Sequence, residues 1–125
     1  MKFNPVKLLE SGDMSTSLKS IGIDLNQAAI CSIQAIWQGA PKGKINLEIS
    51  NDIVPVASVI SNPVGPDPAA NVINWSYYTG SNVAVTEAGD FLWILKDVGY
   101  RWIRLSYTPT SGSGVLKVVF SGKGV

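Results

Sequence analysis

Gly43-Lys44-Ile45-Asn46-Leu47-Glu48-Ile49-Ser50 is the stretch that decides the fold class. Ile45, Leu47 and Ile49 fall on one side of an extended chain, and Asn46, Glu48 and Ser50 on the other. That is the period of two expected of a strand with one face in a core and one in water. Upstream, Ala29, Cys31, Ile33, Ala35 and Trp37 share a face opposite Ser32, Gln34 and Gln38. Downstream, Ile103, Leu105 and Tyr107 alternate with Arg104 and Ser106, and Leu116, Val118 and Phe120 with Lys117 and Val119. Fainter strands are expected over Lys7–Glu10, Leu18–Leu25 with Gly22 inside it, Asn71–Thr79, Asn82–Thr86 and Asp90–Lys96. Gly39-Ala40-Pro41-Lys42-Gly43, Asp97-Val98-Gly99 and Thr110-Ser111-Gly112-Ser113-Gly114 supply turn residues and are expected to close hairpins. No segment sustains helical spacing over three turns. About eight short strands with frequent turns predict an all-β chain, an antiparallel β-sandwich. A jelly-roll-like Greek key is the first choice of winding and an immunoglobulin-like sandwich the second.

The 125 residues suit a single domain spanning 1–125. Charged residues make up 15% of the chain, against about 25% in average soluble proteins. A surface so poor in charge is either uncharged and polar or covered by a partner. Ten basic and nine acidic side chains leave a net charge of +1, with no basic stripe for a phosphate backbone, so no nucleic-acid partner is expected. There is no histidine, which excludes His-based triads, His-ligated zinc and imidazole bases within this chain. Cys31 is the single cysteine; among apolar neighbours it is expected as a small buried strand residue, suited to assembly in a reducing compartment. Met1–Gly12 lacks the apolar core of a signal peptide. No apolar run is long enough to cross a bilayer, so no membrane partner is expected.

One region breaks the rhythm. Ile53–Ala70 sets Pro55, Pro63, Pro66 and Pro68 among Val54, Val56, Val59, Ile60 and Val64. Each proline removes a ladder donor, so no central strand runs through it. It is expected either as a rigid crossover between the two sheets, covering the open edge of the core, or as an arm packing Val56, Val59, Ile60 and Val64 onto a neighbour. Residues 1–17 form a second candidate docking arm. The acidic residues lie mostly in turns and no nucleophile has a base beside it, so no enzymatic activity is expected. A calcium site from Asn51-Asp52 with Asp67 or Asp90 matches no loop spacing, and neither metal nor cofactor is expected. Trp37, Trp93, Tyr107 and Phe120 fall on core faces. Trp75, Tyr77, Tyr78 and Trp102 are the candidate contacts, filling an interface between subunits or stacking on a glycan. Arg101 and Arg104 flank Trp102 and point to opposite faces; one of them is expected to stack on an aromatic ring or pair with Asp97 or Asp90.

Three motifs carry a resemblance. Gln34-Ala35-Ile36-Trp37-Gln38-Gly39-Ala40-Pro41-Lys42-Gly43 leads into Ser50-Asn51-Asp52. Gly99-Tyr100-Arg101-Trp102-Ile103-Arg104-Leu105-Ser106-Tyr107 precedes Ser111-Gly112-Ser113-Gly114. Over about the last three-quarters of the chain this resembles small virion-associated β-sandwich proteins of bacteriophages. The resemblance implies a structural part of a phage particle, such as a capsid decoration or a tail or spike subunit, assembled in the host cytoplasm. Homo-oligomers and other virion proteins are the partners it implies. Gly39, Gly43, Gly112 and Gly114 carry over as turn residues, and Trp37 and Tyr107 as core residues.

Overall fold

The computed structural model describes residues 5–25, 28–52, 67–96 and 98–124. Where the sequence alternates it forms strands: β1 (Val6–Asp13), β2 (Leu18–Lys19), β3 (Ile23–Asp24), β4 (Ala28–Gly39), β5 (Lys42–Ser50), β6 (Ser76–Tyr77), β7 (Val83–Val85), β8 (Gly89–Lys96), β9 (Trp102–Ser111) and β10 (Gly114–Gly124). No helix occurs among the described residues. One sheet has the order β1-β10-β4-β8. The other has β9 and β5 at its centre, with β2 and β3 along the outside of β9 and β6 and β7 along the outside of β5. All these pairings are antiparallel, and the protein is the β-sandwich that the alternation predicts.

The inward face of each strand builds one core. Ile33, Trp37, Trp93, Val118 and Phe120 from the first sheet meet Ile45, Leu47, Ile103, Leu105 and Tyr107 from the second. Each such side chain taken out of water contributes about 1.5–3 kcal/mol, which fixes the register, since a one-residue slip would turn the set outward. Leu8 and Met14 are fully buried in this core. The segment 1–17, expected as a docking arm, is therefore an integral sheet strand from Val6 to Asp13; residues 1–4 lie outside the described residues.

Two expected hairpins are corners instead. β4 leaves the first sheet through Ala40-Pro41 and continues as β5 in the second; β9 returns through Gly112-Ser113 to become β10 in the first. The ladder runs on around the bend, with Gly114 opposite Gly39 and Ser111 opposite Lys42. At the corner the Ala40 N–H donates to the Ser113 carbonyl at 3.0 Å. Gly39 (φ 94°) and Gly112 (φ 77°) occupy the left-handed region, which glycine enters without steric cost. A side chain on Gly112 would sit on the Ala40 carbonyl oxygen. Hairpins and corners need the same residue types, so composition cannot separate them. The connection through Val98-Gly99 likewise changes sheets, from β8 to β9; Asp97 lies outside the described residues.

The outer strands of the second sheet are interrupted at one level. Leu47 and Leu105 stand directly opposite each other on β5 and β9. Beside Leu105, the chain breaks between β2 and β3: the Ser20 N–H donates to the Leu105 carbonyl and the Leu105 N–H donates to Ser20 Oγ, both at 2.9 Å. Beside Leu47, a turn separates β6 from β7. Ser81 N–H donates to the Tyr78 carbonyl at 3.0 Å, with Gly80 at φ 85°, a type II arrangement. The Leu47 N–H donates to Ser81 Oγ at 3.0 Å. Each serine hydroxyl thus stands in for an absent strand carbonyl. The same breaks join the two sheets: Ile21 N–H donates to the Leu8 carbonyl at 3.1 Å, and Trp93 Nε1–H to the Ser81 carbonyl at 3.1 Å. The strand expected over Leu18–Leu25 is split for this reason, and only Ser76–Tyr77 of the expected Asn71–Thr79 strand pairs.

Candidate functional site

Alternation points Glu48, Ser50, Trp102, Arg104 and Ser106 away from the core, toward what would be a wet face. They are covered nonetheless. From Asp67 to Trp75 the chain crosses the outside of the second sheet. One Asp67 oxygen accepts the N–H groups of Gly22 and Ala69, each at 2.9 Å, and pins the crossing beside β3. Ala69, Val72 and Trp102 then form a small buried cluster with Trp75 packed against it. The Arg104 guanidinium lies 4.1 Å from the Trp75 ring centroid, and its Nε donates to Glu48 Oε1 at 2.7 Å. At Ser76 the chain joins the far side of β5. The Pro-rich region thus stands between two strands of one sheet, β5 and β6, where a crossover between sheets was expected; of that region only Asp67–Ala70 is described, and it lies on the sheet's outer face. Val56, Val59, Ile60 and Val64, and with them the contact arm, lie outside the described residues.

The four candidate aromatics do not form one platform. Trp102 is 1% exposed beneath the crossing segment. Trp75 carries Arg104 on its ring, and Tyr78 meets Tyr100 edge-on with centroids 5.8 Å apart. Tyr77 alone of the four is open, at 63%. The indole N–H groups are also engaged: Trp37 donates to Glu87, Trp75 to Val72, Trp93 to Ser81 and Trp102 to Asp52, each to a backbone carbonyl at 2.6–3.2 Å. A tryptophan whose N–H is satisfied internally offers no donor to a sugar hydroxyl. Arg101 follows the pattern of Arg104, 5.4 Å from the Trp102 ring centroid and 3.3 Å from Asp24 Oδ2. Stacking or an acid partner was expected of one arginine; both lie against a ring, and their acid partners are Glu48 and Asp24, where Asp90 or Asp97 was expected.

Of the acids weighed for a calcium site, Asp52 and Asp67 serve as local anchors. Asp52 accepts the backbone N–H groups of Ile73 and Asn74 and the Asn74 amide, at 2.8–2.9 Å. These bonds hold its carboxyl below its ordinary value. Asp67 serves Gly22 and Ala69, and no cluster of three metal-ligating His, Cys, Asp or Glu residues occurs among the described residues. Cys31 is buried as expected, and loss of solvation pushes its thiol up to about 11. A small polar hollow beside Ile49 is lined by Ser50, Asn51, Asn74, Ser76 and Tyr100. The Tyr100 hydroxyl is buried without a partner among the described residues, and burial raises it above its ordinary range.

A contiguous apolar exposure lies on the first sheet, on β8. Leu92 is 50% and Ile94 62% exposed, with Ile30 beside them on β4. Together with Ser32 and Ser121 they line an open depression. The sequence did carry a signal for it: Phe91-Leu92-Trp93-Ile94-Leu95 is apolar on both alternating faces, whereas a strand with one wet face alternates.

Two antiparallel sheets about one core, without a constellation of convergent ionisable groups among the described residues, define a β-sandwich domain. Over 98% of its length this chain superposes on 96% of the SPBc2 prophage-derived protein YomS, with TM-score 0.53 and 9% sequence identity, a likeness of fold. The structure of infectious bursal disease virus Gx strain aligns over 94% of this chain and 30% of that one at TM-score 0.41 and 9% identity, a value that does not establish a shared fold. No family model matches the chain, and no curated protein matches it in sequence.

Proposed function

We propose that this protein is a non-enzymatic structural component of a bacteriophage particle, assembling through contacts with its own copies or with capsid or tail proteins. The observation that carries this reading is the winding. Side by side, the strands run β1-β10-β4-β8 in one sheet and (β2, β3)-β9-β5-(β6, β7) in the other, and the chain changes sheets at six of the nine connections between them. A long antiparallel ribbon rolled in this order is a jelly roll, a plan that viral capsid domains use. Support also comes from the end-to-end likeness in fold to a prophage-derived protein and from the motifs that resemble virion-associated sandwiches. The polar groups are spent on the fold itself: the indoles, Asp52, Asp67 and the Glu48–Arg104 pair are all internal anchors. No specific observation favours the glycan-binding alternative.

The test is mass spectrometry of density-banded particles released from a host carrying this gene. Peptides of this chain at a fixed ratio to the major capsid protein, retained through a high-salt wash, are the expected result. Recovery only in the particle-free lysate overturns the proposal.

A further inference from the structure

A sandwich of two open sheets has four edges, and each unpaired edge invites another strand. Three edges of this molecule are blunted. β1 changes register twice against β10, between Lys7 and Leu9 and between Leu9 and Gly12, and carries the Lys7–Glu10 ion pair. Both edges of the second sheet are broken into strands of two or three residues. These are the devices by which natural sheets refuse further pairing. The fourth edge has neither bulge nor break, and its two charged residues, Asp90 and Lys96, stand near its ends. β8 runs eight residues in unbroken register against β4, from Trp37↔Gly89 to Ile30↔Lys96. No strand among the described residues pairs with its other side. Its outward side chains Leu92 and Ile94 stand side by side, 50% and 62% exposed.

We infer that β8 is the subunit contact, and that its occupant is the β8 of a second copy, paired antiparallel about a two-fold axis at Trp93. This deepens the assembly proposal and rests on it. The choice of occupant follows from the order of charges. Asp90 and Lys96 lie three residues either side of Trp93, and neither has a partner among the described residues. A two-fold there sets each Asp90 opposite the other copy's Lys96 and each Leu92 opposite the other copy's Ile94. The outer face of the joint then reads ion pair, apolar pair, apolar pair, ion pair. An isologous contact must be complementary to itself, and β8 is so in this register. Opposite charges directly across a ladder favour pairing, and like charges oppose it. The apolar depression shared with Ile30 and Ser32 continues across the axis, so pairing would cover Leu92 and Ile94 in both copies.

Charge reversal tests this with the full-length protein in sedimentation equilibrium. Wild type is expected to be dimeric. Asp90→Lys alone and Lys96→Asp alone each place like charges at both ends of the joint and should weaken the dimer about tenfold or more. Mixing the two single variants, or combining both substitutions in one chain, restores opposite charges and should restore the dimer. Both residues are exposed, and recovery in the mixture reports that each variant is folded. A monomeric wild type at high concentration overturns the inference, as does a dimer indifferent to the reversals. Neither result touches particle incorporation, which is read separately from banded virions.

Discussion

Replacing Ser81 with alanine removes one oxygen and should cost far more than that atom's share of the fold. The Leu47 N–H donates to Ser81 Oγ at 3.0 Å, and Ser81 is 2% exposed. In Ser81→Ala the amide of a central strand is left without an acceptor in a place water does not reach. Leaving a buried donor unmade costs about 1–3 kcal/mol. For a chain of this size that is about 3–6 °C in melting temperature per kcal/mol. Ser20→Ala should behave alike, since it strips the acceptor from Leu105 N–H on the opposite edge. The two serines flank β9 and β5 on one line, about 14 Å apart at three strand spacings. At that separation the losses should add to about 2–6 kcal/mol. The assays are urea unfolding and amide hydrogen exchange, with the Leu47 amide speeding up in Ser81→Ala and the Leu105 amide in Ser20→Ala. Ser113→Ala, an exposed corner residue, is the control and should stay within about 0.5 kcal/mol. If Ser81→Ala unfolds at the wild-type urea concentration with the Leu47 amide still protected, the hydroxyl is not what completes the ladder.

The glycines give a paired comparison: Gly80→Ala, at φ 85° in open space, should cost only the backbone penalty of about 1–2 kcal/mol. Gly112→Ala adds a collision with the Ala40 carbonyl and should cost more than about 3 kcal/mol by urea unfolding or prevent folding. Cys31 should resist iodoacetamide in the native protein at pH 8, where a thiol near 11 is about one part in a thousand thiolate, and react at least about a hundredfold faster in urea. Its raised value favours the folded state fully below the ordinary 9.0 and loses that effect as pH climbs toward 11, so native alkylation should accelerate over that window. Glu48→Ala leaves Arg104 under the crossing segment without its anion and should cost about 2–4 kcal/mol in unfolding free energy; Lys7→Ala, which breaks the exposed Lys7–Glu10 pair, should change little.

Alternation made the long strands legible. β4, β5, β9 and β10 each bury every second residue against one core, and the hydrophobic pattern of a strand reports that directly. Burial of Cys31, Trp37, Trp93, Tyr107 and Phe120 was readable on the same grounds. Three things were not. The Gly39–Gly43 and Ser111–Gly114 turns contain the residues of a hairpin, and whether the chain doubles back or bends into the other sheet depends on its neighbours. Trp102 and Glu48 sit on faces that alternation marks as wet; a segment arriving from elsewhere in the chain hides them. Ser20 and Ser81 look like turn residues, because the strand each completes lies 34 to 85 positions away. The apolar outer side of β8 was visible in Phe91–Leu95, yet only the pairing order shows that this edge alone is left unbroken.

The place of β10 carries a consequence for how the molecule comes into being. It lies between β1 and β4 in the finished sheet, yet it follows both of them in the chain. Until it emerges, β1 has no neighbour in its sheet, and β4 presents a bare flank. The bent ribbon through both corners also waits on it. Such distant pairings fold slowly, typically in milliseconds to seconds. Until β10 emerges, a ribosome extending this chain therefore carries an unfinished, adhesive precursor, and this one strand closes it in a single event.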